Sequence, residues 1–116
     1  MYTAIMKIPK DLVAASAAPL ILSILEQGES YGYAIIQRVA ALSEEQMTWT
    51  DGMLYPVLHR LEELQWIQSS WKTGATGRKR KYYALTRQGR KALAEQKEQW
   101  LVVQKTLAQL WGMNHA

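Results

Sequence analysis

The chain has 116 residues, 48% of them hydrophobic and 21% charged, a length that fits one compact domain and a composition too apolar for intrinsic disorder. It has no cysteine, which excludes disulfides, thiolate zinc sites and cysteine nucleophiles and leaves no argument for an oxidising compartment, so a cytoplasmic address is expected. Fourteen Lys and Arg against ten Asp and Glu give a formal charge of +4, an excess that gains meaning only where it is concentrated.

The nearly apolar run from Leu12 to Leu25 is broken by Ser16, Pro19 and Ser23 and is shorter than the roughly 18 residues of a membrane span. Lys7 and Lys10 ahead of it imitate a secretory leader, but Glu26 and Gln27 stand where small residues would be needed for cleavage. Neither export nor a membrane is expected. After Pro9, Asp11 to Gln27 predicts a helix with Leu12, Ala15, Leu20, Ile21, Ile24 and Leu25 on its apolar face and Gly28 as its stop. Pro19 removes a backbone donor inside it, which predicts a kink or a restart near Ser16. Ser30 is expected to cap a second helix to Leu42, with Tyr33, Ile36, Val39 and Ala40 at three-and-four spacing. Thr48 to Asp51 offer caps for a third helix, Asp51 to Leu64, with Leu54, Val57, Leu58, Leu61 and Leu64 as its buried stripe and Pro56 near its first turn.

From Ile67 to Lys72 the pattern changes to period two, with Ile67, Ser69 and Trp71 on one side, and a second strand is expected from Arg80 to Leu85. Thr73 to Gly77 form the loop between them, too long for a two-residue hairpin turn. Thr86 then caps a long final helix to about Trp111, in which Leu93, Trp100 and Leu107 repeat every seven residues and Val103 and Leu110 add a second row interrupted by Gln96. That seam exceeds what a small core covers, so a second copy of the chain is the simplest partner. The expected fold is mainly α with a small β-hairpin, with residues 1–86 as the binding part and 87–116 as a dimerisation helix within one compact domain.

Lys72, Arg78, Lys79, Arg80, Lys81, Arg87, Arg90 and Lys91 concentrate eight cations between positions 72 and 91 without an acid, while the rest carries six cations against ten acids. A charge run by itself is commonly a solvated loop. Three helices followed by a cationic hairpin and a final helix form the order of a winged helix-turn-helix, whose third helix enters the major groove while the wing meets the backbone or minor groove.

Three motifs support a more specific reading. Tyr31-Gly32-Tyr33, the segment from Gly52 to Glu62 (GMLYPVLHRLE), and the segment from Gly77 through Thr86 (GRKRKYYALT) with Gly89 together resemble the PadR family of bacterial transcriptional regulators. The likeness spans Leu12 to about Leu93, and the single final helix is similar to the short branch that includes LmrR-like multidrug-sensing repressors. The resemblance implies a homodimeric repressor that binds a double-stranded DNA operator. Tyr31 and Tyr33 at the start of the second helix can bond phosphate oxygens, with Tyr33 expected to be the half-buried one. Thr50, Asp51, Gly52 and Tyr55 open the recognition helix, with Pro56, His59 and Arg60 further along it and Arg78, Lys79, Arg80 and Lys81 on the wing. Tyr55 has the alternative of packing against the first helix, and His59 that of a neutral surface residue. The rival reading is an architectural protein that uses the basic wing without sequence choice.

Trp100 matches the position at which LmrR-like proteins stack flat aromatic drugs, which implies a small aromatic or cationic effector; packing in the seam is the alternative. Leu12, Ala15, Ser16 and Val103 are the expected neighbours of such a ligand, and Leu93, Trp100, Val103, Leu107 and Leu110 the expected dimer contacts. The chain departs from the family at Gln65, where a glycine is usual after the third helix, so that a left-handed cap there would carry a Cβ clash or be replaced by another turn. Pro19 is a second departure and bears on the shape of the ligand pore. His59 and His115 lack the carboxylate spacing of a metal site, no cofactor is implied, and no nucleophile with a base or phosphate loop points to an enzyme.

Overall fold

The computed structural model describes residues 6–113; His115 lies outside them. Helix α1 (Lys10–Glu26) is followed by the short strand β1 (Ser30–Tyr31), helices α2 (Gly32–Leu42) and α3 (Asp51–Glu63), strands β2 (Ile67–Thr73) and β3 (Lys79–Leu85), and helix α4 (Arg87–Leu110). The majority is helical, and the three strands form one antiparallel sheet in the order β1-β3-β2. Tyr83 on β3 is paired with Ser30 on one side and Ser69 on the other.

α1 runs as one helix across Pro19, without the restart predicted near Ser16. The Ser16 hydroxyl instead donates to the carbonyls of Leu12 and Val13, at 2.7 and 3.3 Å. Its buried residues are Ala17, Ile21, Leu22, Ile24 and Leu25, so the core stripe is rotated from the predicted one and leaves Leu12 and Ala15 exposed. α2 is likewise rotated. Gly32, Ile35 and Val39 face inward, and Tyr33, expected to be half-buried, is 64% exposed while Tyr31 takes the half-buried place. Pairing with Tyr82 in the sheet holds Tyr31 in that place and makes it, with no side-chain cap, the N-cap of a helix that starts one residue later than expected, while the stripe of Gly32, Ile35 and Val39 leaves Tyr33 outside. Ser30 is a strand residue and caps nothing.

α3 buries Leu54, Leu58 and Leu61 as predicted, while Leu64 is exposed. Beyond its C-cap, Gln65 adopts φ 63°. The Gln65 and Trp66 N–H groups donate to the carbonyls of Glu62 and Leu61, at 2.9 and 3.0 Å, which completes a left-handed helix stop without the usual glycine. The same paired donation ends α2, where Glu44 and Glu45 take φ 53° and 67° and bond Ala41 and Ala40. Thr86 joins the two halves of the chain. Its hydroxyl donates to the Gln65 carbonyl at 2.7 Å and accepts from the Gly89 N–H at 3.0 Å, while its own N–H bonds the Trp66 carbonyl. Gly89 is pressed against that same carbonyl, where a Cβ would overlap it. Leu93, one turn on, is 1% exposed and packs into the protomer's own core, so the first residue of the predicted dimer seam is already covered.

Candidate nucleic-acid interface

The start of α3 is set by Thr50, whose hydroxyl accepts the Met53 N–H at 3.3 Å. This cap fixes the helix so that Leu54, Leu58 and Leu61 face the core, and the opposite stripe follows from helical spacing. Asp51, Gly52, Tyr55, Pro56, His59 and Arg60 all lie exposed on it. Tyr55 reaches from α3 to the start of α2. Its hydroxyl lies over Gly32 at the start of α2, close enough that a Cβ there would overlap it. Gly32 is therefore the glycine that seats Tyr55, a role that residue identity alone did not reveal.

The wing presents Arg78, Lys79 and Arg80 to solvent, with Lys81 half-buried at its root. Aromatic rings hold several of these cations. Arg80 lies 4.5 Å from the centroid of Tyr31, Lys81 5.7 Å from that of Tyr83, and Lys72 5.5 Å from that of Tyr82. Tyr31 in turn meets Tyr82 edge-on at 5.3 Å. Lys72 also pairs with Glu29, so one wing cation is partly neutralised by the segment before β1. Behind the wing, the Ser69 hydroxyl donates to Glu62 at 2.6 Å, a direct tie between β2 and α3. Burial pushes the Tyr83 hydroxyl pKa up, and the Glu62 carboxylate and Tyr55 add to the shift.

A groove of about 530 Å³ joins these parts: Tyr31, Gly32, Tyr33, Tyr55, Trp71 and the run Arg78 to Lys81 line it. Seven of the expected site residues thus share one concave surface, while Thr50, Asp51, Gly52, Pro56, His59 and Arg60 lie outside it on or before α3. Trp71 was not among the expected contacts. The available signal was its place on the alternating face of β2 among cations, without an apolar neighbour beyond Ser69.

A second groove, of about 640 Å³, separates α1 from α4 and is lined by Leu12, Ser16, Trp100 and ten other residues, among them Ile8, Pro19, Leu20, Met47, Gln96, Lys97, Leu101 and Gln104. Ala15 and Val103 do not line it. Lys97 is bonded to Glu26 at 3.0 Å, and the buried Gln96 Oε1 has no hydrogen-bond partner among the described residues. In the same residues no cluster of three or more metal-binding side chains occurs.

A capped third helix with an outward polar stripe, next to a cationic two-stranded wing paired to the start of the second helix, defines a winged helix-turn-helix protein. The model of the transcriptional regulator PadR-like family matches residues 21–95, and the chain belongs to that family of non-enzymatic DNA-binding regulators. The regulator YqjI of Escherichia coli is 32% identical over 88 residues, which cover 76% of this chain and 41% of that longer protein. An uncharacterised protein of Lysinibacillus sphaericus is 28% identical over 84% of this chain and 89% of its own length. Among solved structures, the PadR-like regulator of Bacillus cereus superposes with a TM-score of 0.78 at 29% identity, covering 88% of this chain and 97% of its own. A PadR family regulator of Clostridium difficile gives 0.72 at 33% identity, covering 83% and 98%.

Proposed function

We propose that this regulator is a homodimeric repressor in the cytoplasm that binds a double-stranded DNA operator, each protomer reading one half-site with α3 and its wing. Residues 1–86 form the DNA-binding part and residues 87–116, which include α4, the dimerisation part. The observation that carries the reading is the groove in which Tyr31, Tyr33 and Tyr55 meet four consecutive cations, because hydroxyls and cations converging from four elements match a phosphate backbone. On that reading Thr50, Asp51, Gly52 and Tyr55 approach the bases, Pro56 shapes the helix's approach, Arg60 meets guanine or phosphate, and His59 lies beside it. The α4 residues Val103, Leu107 and Leu110 stay exposed in the protomer and form the dimer contact with Trp100. No helix among the described residues is long and apolar enough to cross a membrane.

The α1–α4 groove is the effector site of this reading. Its lining residues include amides and one lysine but no carboxylate, which favours a flat aromatic molecule on Trp100 with a donor for Gln96 Oε1 over a cation. Binding there relieves repression by shifting dimers away from the spacing that fits both half-sites.

The test is a titration at fixed salt with the DNA upstream of the protein's own gene, against a scrambled duplex of equal length. A preference of roughly a thousandfold is expected of an operator-specific regulator. Equal affinity for both duplexes, here and across the remaining upstream regions of the genome, would instead establish a sequence-indifferent architectural protein.

A further inference from the structure

Trp71 is a bulky apolar side chain on the most cationic part of the molecule, and it is 66% exposed. Along β2 the residues Ile67, Ser69 and Trp71 share one face of the sheet. Ile67 on this face is buried in the core, and Ser69 bonds Glu62 of α3. The face therefore looks toward the recognition helix. Trp71 is the next step outward, opposite Lys81 in register and one pair short of the Thr73–Lys79 end of the ladder on that face. It lies beyond the reach of the core, yet it lines the groove shared with Tyr55 and the wing cations.

An isolated indole among lysines and arginines fits a partner whose negative charges alternate with uncharged, weakly polar surface. A nucleic-acid strand has that character, with phosphates separated by sugars. The height of Trp71 on the wing decides the mode of contact. At about 3.4 Å per residue it lies roughly 7 Å below the end of the ladder, on the wall of the groove and not at the tip, where a side chain could wedge between base pairs.

We propose that Trp71 is a DNA-contact residue, its ring lying against a deoxyribose of the strand held by the wing cations and its Nε1–H donating to an adjacent phosphate oxygen. The proposal rests on the DNA-binding reading of the groove and adds an uncharged contribution to affinity. Such a contact differs from a lysine or arginine contact in one measurable respect: its removal releases no counterion dependence.

The unaltered chain, Trp71→Ala, Trp71→Phe and the double variant Lys79→Ala/Arg80→Ala are titrated with the same upstream duplex at several salt concentrations. Trp71→Ala is expected to bind about tenfold more weakly at every salt, with an unchanged slope of log affinity against log salt, as for a lost uncharged contact. Trp71→Phe keeps the ring without the donor and recovers part of the loss, whereas the double variant flattens the slope. The quenching of tryptophan fluorescence by DNA falls in Trp71→Phe relative to the unaltered chain. Equal affinity of Trp71→Ala, or full quenching in Trp71→Phe, overturns the role of Trp71 and leaves the DNA-binding reading intact. Failure of the unaltered chain to bind any duplex overturns both.

Discussion

At Gln65 the backbone takes a left-handed conformation that a Cβ makes unfavourable by about 1 kcal/mol. The family resemblance marks this position as one where glycine is usual, and the chain kept the turn instead of changing it. Gln65→Gly is expected to raise stability by on the order of 1 kcal/mol, read from chemical denaturation; an unchanged midpoint would mean that the exposed side chain compensates. Tyr83 gives a prediction of opposite kind. Its pKa is raised above 10.0 by burial and then by Glu62 and Tyr55, so the folded protein holds the proton where the unfolded chain releases it. Stability from this group is full below about pH 10 and falls as the pH rises through the folded value. Tyr83→Phe removes that loss, and its melting temperature should gain on the unaltered protein's above about pH 10. Parallel pH profiles for the two proteins would contradict the shift. Sequence left Gln65 between a left-handed cap and another turn and gave no sign of the burial of Tyr83, because backbone sign and burial are settled by packing.

Among the elements, helices and wing were legible because periodicity reports burial directly: the α3 stripe of Leu54, Leu58 and Leu61 and the caps Thr50 and Thr86 are where spacing placed them. The strand Ser30–Tyr31 was not legible. Two residues carry no period, and their pairing depends on β3, some fifty residues away. Without it the stripe of Tyr33, Ile36, Val39 and Ala40 was the natural inward face, whereas with Tyr31 held in the sheet the inward face runs through Gly32, Ile35 and Val39. The site residues on α3 and the wing followed from motif and charge, whereas Gly32 and Trp71 entered the groove only through contacts between elements. The turn after α3 packs closely on the start of α4. Gly89→Ala places a methyl against the Trp66 carbonyl, a rigid neighbour, and is expected to cost about 2–3 kcal/mol. Thermal unfolding checks this, and a variant as stable as the original would require the start of α4 to shift.

For the whole molecule, α4 is the helix with the least of itself inside the protomer. Its buried residues, Gly89, Ala92 and Leu93, all lie in the first third, and the remainder ends in the exposed Leu110 and Trp111. If that surface is covered by a second copy, Leu107→Glu/Leu110→Glu should sediment as a monomer at concentrations where the unaltered chain is a dimer, with helix content retained. Persistent dimers would place the contact elsewhere. The anchorage of α4 has a mechanical consequence. From Leu93 to Leu110 the helix extends about 25 Å at 1.5 Å per residue. A tilt of about 5° at the anchored end therefore carries the far end through about 2 Å. Thr86 ties that anchor to the turn that follows α3, so in the proposed dimer the helix would act as a lever with its fulcrum beside α3, and a small wedge between α1 and α4 would be converted into a change of angle between the α3 helices of the two protomers.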